Sequence, residues 1–112
     1  METVVETPSY LAIAEKLFTE KEREDIIELL AKHPESGDVM QGTGGFRKMR
    51  VRCGGTGKSG GARVIYIFRG SRFPVFLITV FAKNRKANLT NHERNQLKKR
   101  ADQIFETYGG KG

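Results

Sequence analysis

Cysteine occurs once in the 112 residues, at Cys53. A lone thiol excludes an intramolecular disulfide framework and any zinc site built on cysteines. No run of 18 apolar residues is present, so nothing reads as a membrane-spanning helix. The opening Met1-Glu2-Thr3-Val4-Val5-Glu6 lacks the basic start and apolar run of a secretory signal, which makes the cytoplasm the expected location. His33 and His92 are the two histidines, and neither pairs with a carboxylate at metal-ligand spacing. The expectation is therefore no metal and no cofactor. The length leaves room for one domain with one core, residues 1–112. A hydrophobic content of 38% with seven Phe fits a folded chain rather than a disordered basic tail.

The most informative shortage is of acid. Residues 39–92 hold eleven Lys and Arg and no Asp or Glu. Residues 1–38 hold four basic and ten acidic side chains, and residues 93–112 five basic and three acidic, so the net +7 conceals a steep asymmetry. Soluble surfaces normally mix both signs. A one-sign stretch is either a solvated face that aids solubility or a site for a polyanion, with nucleic acid the first candidate. A membrane surface fits less well, because the basic region has no amphipathic helix with apolar anchors.

Along the chain, Thr3–Glu6 is short and β-branched and suits an edge strand. Thr7-Pro8 reads as a helix cap followed by proline at the first helical position, and Tyr10 to Phe18 continue with helical spacing. Thr19 and Glu22 form a capping box for a second helix, which Pro34 stops near His33. Pro34 to Gly45 reads as a loop. Phe46–Arg52 alternates as a strand, Arg63–Phe68 is β-branched and aromatic, and Val75–Ala82 is the near-continuous apolar run of a buried strand. Thr90 and Glu93 open a last helix with the stripe Leu97, Ala101, Ile104, Phe105 and Tyr108, ended by Gly109-Gly110. The order β-α-α-β-β-β-α implies an α+β domain whose helices cover an antiparallel meander.

Three constellations could carry chemistry. Eight of the thirteen glycines lie in residues 42–61, and Gly57-Lys58-Ser59 matches the last three residues of a nucleotide phosphate-binding loop. The glycine that motif needs five residues earlier is Arg52, and the segment leads to a strand rather than a helix, which argues against nucleotide hydrolysis. A hairpin loop that carries Lys58 onto a phosphate fits better. On the strand Phe46–Arg52, alternation puts Met49 and Val51 on one face and Lys48, Arg50 and Arg52 on the other. Cations at i, i+2 and i+4 repel one another and suit a row occupied by an anion, although edge strands also use lysine against aggregation. Arg63 opens the next strand, while Lys83, Arg85 and Lys86 follow the apolar one. Neither histidine joins these groups, and the acidic helix Glu20–Glu28 reads as a solvated face.

The runs Gly37-Asp38-Val39-Met40-Gln41-Gly42-Thr43-Gly44-Gly45-Phe46-Arg47-Lys48-Met49-Arg50-Val51, Gly61-Ala62-Arg63-Val64-Ile65-Tyr66, Ala82-Lys83-Asn84 and Leu89-Thr90 resemble, in order and spacing, the HigB-type branch of the RelE/ParE toxin superfamily. The likeness covers roughly residues 34–100. It implies a RelE-like α+β fold with N-terminal helices on a mostly antiparallel sheet of about four strands and a C-terminal helix. It also implies the toxin of a type II toxin–antitoxin system, a ribosome-dependent mRNA endonuclease that cuts in the A site without a metal. Its partners would be a cognate antitoxin, the ribosome and mRNA. By the resemblance, Lys48, Arg50, Arg63 and Lys83 fall at the catalytic positions, with Arg63 on the scissile phosphate. Arg47, Arg52, Lys58, Asn84, Arg85 and Lys86 would contact RNA or phosphate. Two positions depart from the best-known members: Asn84 stands where they carry arginine, and Leu89 or Thr90 where they carry a tyrosine.

Cleavage of RNA needs the 2′-hydroxyl deprotonated, the pentavalent phosphate stabilised and the 5′-oxygen protonated. Clustered cations stabilise the phosphorane, and crowding of like charges favours loss of a proton from one of them. Lys48 or Lys83 is assigned as base and Arg63 as clamp, since arginine stays charged and contacts phosphate bidentately. Two alternatives remain: a non-catalytic member that binds RNA or the antitoxin, and a ParE-like gyrase inhibitor, which would have no need of the basic cluster.

Overall fold

Strand β1 (Val4–Glu6) passes into helix α1 (Pro8–Leu17) through Thr7 alone. The Thr7 hydroxyl accepts the Tyr10 N–H at 3.4 Å, and Pro8 occupies the first turn, where its missing N–H costs nothing. Helix α2 (Glu20–Lys32) opens with a reciprocal box: Thr19 Oγ1 accepts the Glu22 N–H at 3.1 Å, and the Glu22 carboxylate accepts the Thr19 N–H at 2.9 Å. It stops at His33, before Pro34. Then come β2 (Asp38–Val39), β3 (Phe46–Val51), β4 (Ala62–Ile67), β5 (Val75–Ala82) and α3 (Asn91–Gly109). Thr90 and Glu93 repeat the reciprocal box at the start of α3, at 3.1 and 2.9 Å. The computed structural model describes residues 1–52, 61–82 and 89–109, with side chains as far as Thr107.

The five strands are ordered β1-β5-β4-β3-β2. β1 runs parallel to β5, and every other neighbouring pair is antiparallel. The expected α+β class and the three-strand meander are present. The segment Pro34–Gly45, expected as a loop, contributes the fifth strand. β2 has two residues, both exposed, so it carries no apolar alternation to mark it; Asp38 pairs with Lys48 and Val39 with Arg47.

Helices cover both faces of the sheet. On one face Tyr10, Ala14, Phe18, Ile26 and Leu30 of α1, its cap and α2 pack on Met49, Val64, Tyr66, Val75 and Leu77. On the other, Leu97, Ala101 and Phe105 of α3 pack on Phe46, Ile65, Ile67, Phe76 and Ile78. Burial on both sides is why β4 and β5 read as almost unbroken apolar runs. Phe105 meets Phe73 and Phe76 edge-on, with centroids 4.9 and 5.5 Å away, and Arg69 lies 4.3 Å over its ring. Such contacts each add about 0.5–1.5 kcal/mol beyond area burial and seat the second half of α3. Among the described residues no helix is long and apolar enough to cross a membrane.

Candidate functional site

The basic side chains come together on the α3 face of the sheet, at the end that α3 leaves open. Alternation on β3 sends Phe46, Lys48 and Arg50 to that face and Arg47, Met49 and Val51 to the other. Register then fixes the neighbours. Lys48 lies opposite Ile65, Arg50 opposite Arg63, and Arg63 opposite Phe81 on the next strand. Two arginines directly across a strand pair repel each other. Neither Arg50 nor Arg63 forms an ion pair among the described residues. Arg63 is half-buried, and its Nη1 is buried with no hydrogen-bond partner among the described residues. An orphaned charged donor costs about 1–3 kcal/mol or more, a cost that an anion on this face would remove.

Arg52 lies just past β3, exposed. With Arg50 it lines a cleft of about 400 Å³ whose opposite wall is α2, at Glu22, Asp25 and Leu29. The acidic N-terminal third of the chain and its basic middle thus face each other across the β3 edge. Arg47 does not join the cationic face. Its guanidinium donates to Gly37 O at 2.7 Å and Glu35 O at 3.2 Å, and stands 3.7 Å from the Glu35 carboxylate. Beside it the buried Tyr66 hydroxyl donates to Pro34 O and accepts the Gly37 N–H, both at 2.8 Å. Burial raises the Tyr66 phenol above its ordinary range, despite the Gly37 N–H that lowers it. Gly37 must be glycine here, since a Cβ would stand 2.8 Å from Lys48 O and 2.9 Å from the Tyr66 ring. These contacts lash the Pro34–Gly37 segment to β3 and β4 and engage the Arg47 guanidinium within the fold. Lys58, Lys83, Asn84, Arg85 and Lys86 lie outside the described residues.

One feature of the site comes from an irregularity in β5. Ile65 pairs with Thr79 but Tyr66 pairs with Leu77, so Ile78 is an extra residue, a β-bulge. Before the bulge, Phe76 and Ile78 face α3; after it, Thr79 and Phe81 do, while Val80 turns to the α1 side. Without the bulge Phe81 would point away from Arg63. Bulges expose a carbonyl, and here α1 satisfies it: Ser9 Oγ donates to Ile78 O at 2.7 Å, and Thr7 Oγ1 donates to Leu77 O at 2.7 Å. Residues Thr79, Phe81, Gln96 and Arg100 therefore border this region without having been expected there. Phe81, the second of two aromatics in Val75–Ala82, is the sequence signal that could have pointed to them. Among the described residues no three His, Cys, Asp or Glu side chains gather as metal donors.

Comparison with known proteins bears on what this arrangement is for. The model of the family described as RelE toxin of the RelE/RelB toxin–antitoxin system matches residues 31–110. The structure is similar to that of the E. coli toxin RelE, solved as a double arginine-to-alanine mutant in the free state. The TM-score is 0.59 at 19% identity, over 88% of this chain and 96% of that one. At that identity the structural likeness speaks for the fold. The family match covers β2 to the end of α3, the part that holds every basic residue on the open face.

Proposed function

Because this chain belongs to the RelE toxin family, we propose that it acts as a ribosome-dependent endoribonuclease, cutting mRNA in the A site of cytoplasmic ribosomes and thereby arresting translation. The observation that carries this reading is the buried Nη1 of Arg63, without a hydrogen-bond partner among the described residues, on a face it shares with Arg50 and Lys48. Three cations side by side, one with a donor that finds no partner among the described residues, suit a phosphate in a single-stranded backbone.

The reaction follows from what such a face supplies. The ribose 2′-oxygen attacks the adjacent phosphorus as its proton passes to a base. The P–O5′ bond then breaks, and the 5′-oxygen leaves with a proton. The products are a 2′,3′-cyclic phosphate and a 5′-hydroxyl end. Arg63 clamps the non-bridging oxygens, where charge rises as the phosphorane forms, and Arg50 adds to the same field. Lys48 is the candidate base among the described residues, with Lys83 the other candidate outside them. The ribosome orients the mRNA, which a shallow open face cannot do alone. A cognate antitoxin would hold the toxin inactive.

Primer extension on a defined mRNA, with and without purified ribosomes, tests this. New 5′ ends that require ribosomes and vanish with Arg63→Ala are the expected result. RNA binding without any cleavage would instead favour a non-catalytic binder, for which Leu89 or Thr90 at the position of the family's tyrosine would be the first explanation.

A further inference from the structure

β5 has two neighbours over only part of its length. β1 pairs with Val75, Phe76 and Leu77 and then gives way to α1, so among the described residues no strand pairs with the outer edge of β5 beyond the bulge. A cleft of about 370 Å³ lies along that edge, between α1 and the first turns of α3. Its volume falls in the range of small-molecule subsites. Its walls are apolar where a flat ring would sit: Phe81 from β5, Leu89 and Leu97 from the α3 side, and Ile13 from α1. Ile13 is 39% exposed, an apolar rim with no burial purpose of its own. Polar groups stand at the margin: the Thr79 hydroxyl, the Gln96 amide, the Arg100 guanidinium and the Glu93 carboxylate, which already accepts the Thr90 N–H at 2.9 Å.

We propose that this cleft is a nucleobase subsite, in which the base of the nucleotide whose phosphate sits on Arg63 stacks against Phe81, purines more tightly than pyrimidines. The inference rests on the RNA-binding reading given above and extends it to residues outside the cationic cluster. Register supplies the distance argument. Phe81 is the direct cross-strand neighbour of Arg63, and adjacent strands lie about 4.8 Å apart. A phosphate on one strand and its base on the next are thus within a single nucleotide's reach. Aromatic side chains beside a cationic track are how single-stranded nucleic acid is held, because every base has a π-face. Phe81 is half-buried, stacking on its exposed part favours the larger purine surface, and the Gln96 amide can both donate to and accept from a base edge. The bulge at Ile78, pinned by Ser9, is what turns Phe81 towards this position.

Titrating the isotope-labelled full chain with purine and pyrimidine nucleoside 3′-monophosphates, and with inorganic phosphate, tests the proposal by NMR. Purine nucleotides are expected to shift the Thr79, Phe81 and Gln96 amides together with the Arg63 side chain, and to bind several-fold tighter than pyrimidine nucleotides. Phe81→Leu, which keeps the apolar volume, should weaken purine nucleotides about tenfold. Phosphate binding should be unchanged in that variant, and Phe81→Tyr should restore the purine affinity. Nucleotides that shift Arg63 but not the cleft amides, or bind Phe81→Leu as tightly as the parent, would overturn the base subsite and leave the phosphate face standing. No response at either place would contradict both.

Discussion

Arg47 and Arg63 sit on neighbouring strands, one on each face of the sheet, and their surroundings differ in kind. Arg47 is closed in by Gly37 O, Glu35 O and the Glu35 carboxylate, beside the doubly bonded Tyr66 hydroxyl. Arg63 faces Arg50 across the ladder and keeps a buried nitrogen without a partner among the described residues. Of these two arginines, one therefore staples the fold and the other waits for an anion; Arg69, which pairs with Asp102 and lies over Phe105, is a staple on the α3 face as well. A second paired arginine lies on the stapled side: Arg23 grips Glu6 through two bonds of 3.2 and 3.3 Å, linking α2 to β1. The contrast teaches that positive charge alone does not mark this site. What marks it is the Arg63 guanidinium, which forms no ion pair among the described residues and keeps a buried nitrogen without a partner there, a local cost in stability of the sort functional sites carry.

The largest expected effect breaks the open face. Arg63→Ala should slow cleavage about 10²–10³-fold, the loss typical of removing one donor to a developing oxyanion, without lowering the melting temperature. Tyr66→Phe attacks the closed face. It leaves Gly37 N–H and Pro34 O without their buried partner and should cost about 1–3 kcal/mol in urea unfolding, with the cleavage rate of the folded fraction unchanged. Ser9→Ala should cost about 1 kcal/mol by the same assay, because the Ile78 carbonyl loses its best donor.

The smallest effect is one of pH. Burial, the largest cause, raises both Tyr66 and Tyr10 in the fold, so the neutral phenols are favoured over their unfolded counterparts, which ionise near pH 10. Their contribution is complete below about pH 10 and is lost as the pH climbs towards the folded values. Stability measured from pH 9 to 11 should therefore fall, and Tyr66→Phe should flatten part of that decline.

Much of the fold could be read in the chain because its signals are local. Thr7-Pro8, Thr19 with Glu22 and Thr90 with Glu93 each mark a helix start by satisfying free backbone donors, and each does so in the structure. The grouping of Lys48 with Arg50 follows from strand parity alone. That same parity sets Arg47 beside Met49 on the opposite face. What could not be read depends on tertiary partners. β2 exists because Asp38 and Val39 find β3, not because of any pattern of their own. The bulge at Ile78 falls within a run of β-branched and apolar residues that carries no glycine to announce it, and it reverses which face Phe81 occupies.

The central contrast is tested most directly by making the same substitution on both faces and taking two readings of each variant. Arg63→Met and Arg47→Met would be compared for ribosome-dependent mRNA cleavage and for melting temperature. Arg63→Met should lose cleavage and melt at or above the parent temperature, since a half-buried guanidinium, one nitrogen of which has no partner among the described residues, is replaced by an apolar chain of similar length. Arg47→Met should cleave normally and melt lower. A lowered melting temperature with intact cleavage for Arg63→Met, or lost cleavage in a fully folded Arg47→Met, would contradict the assignment of the two faces.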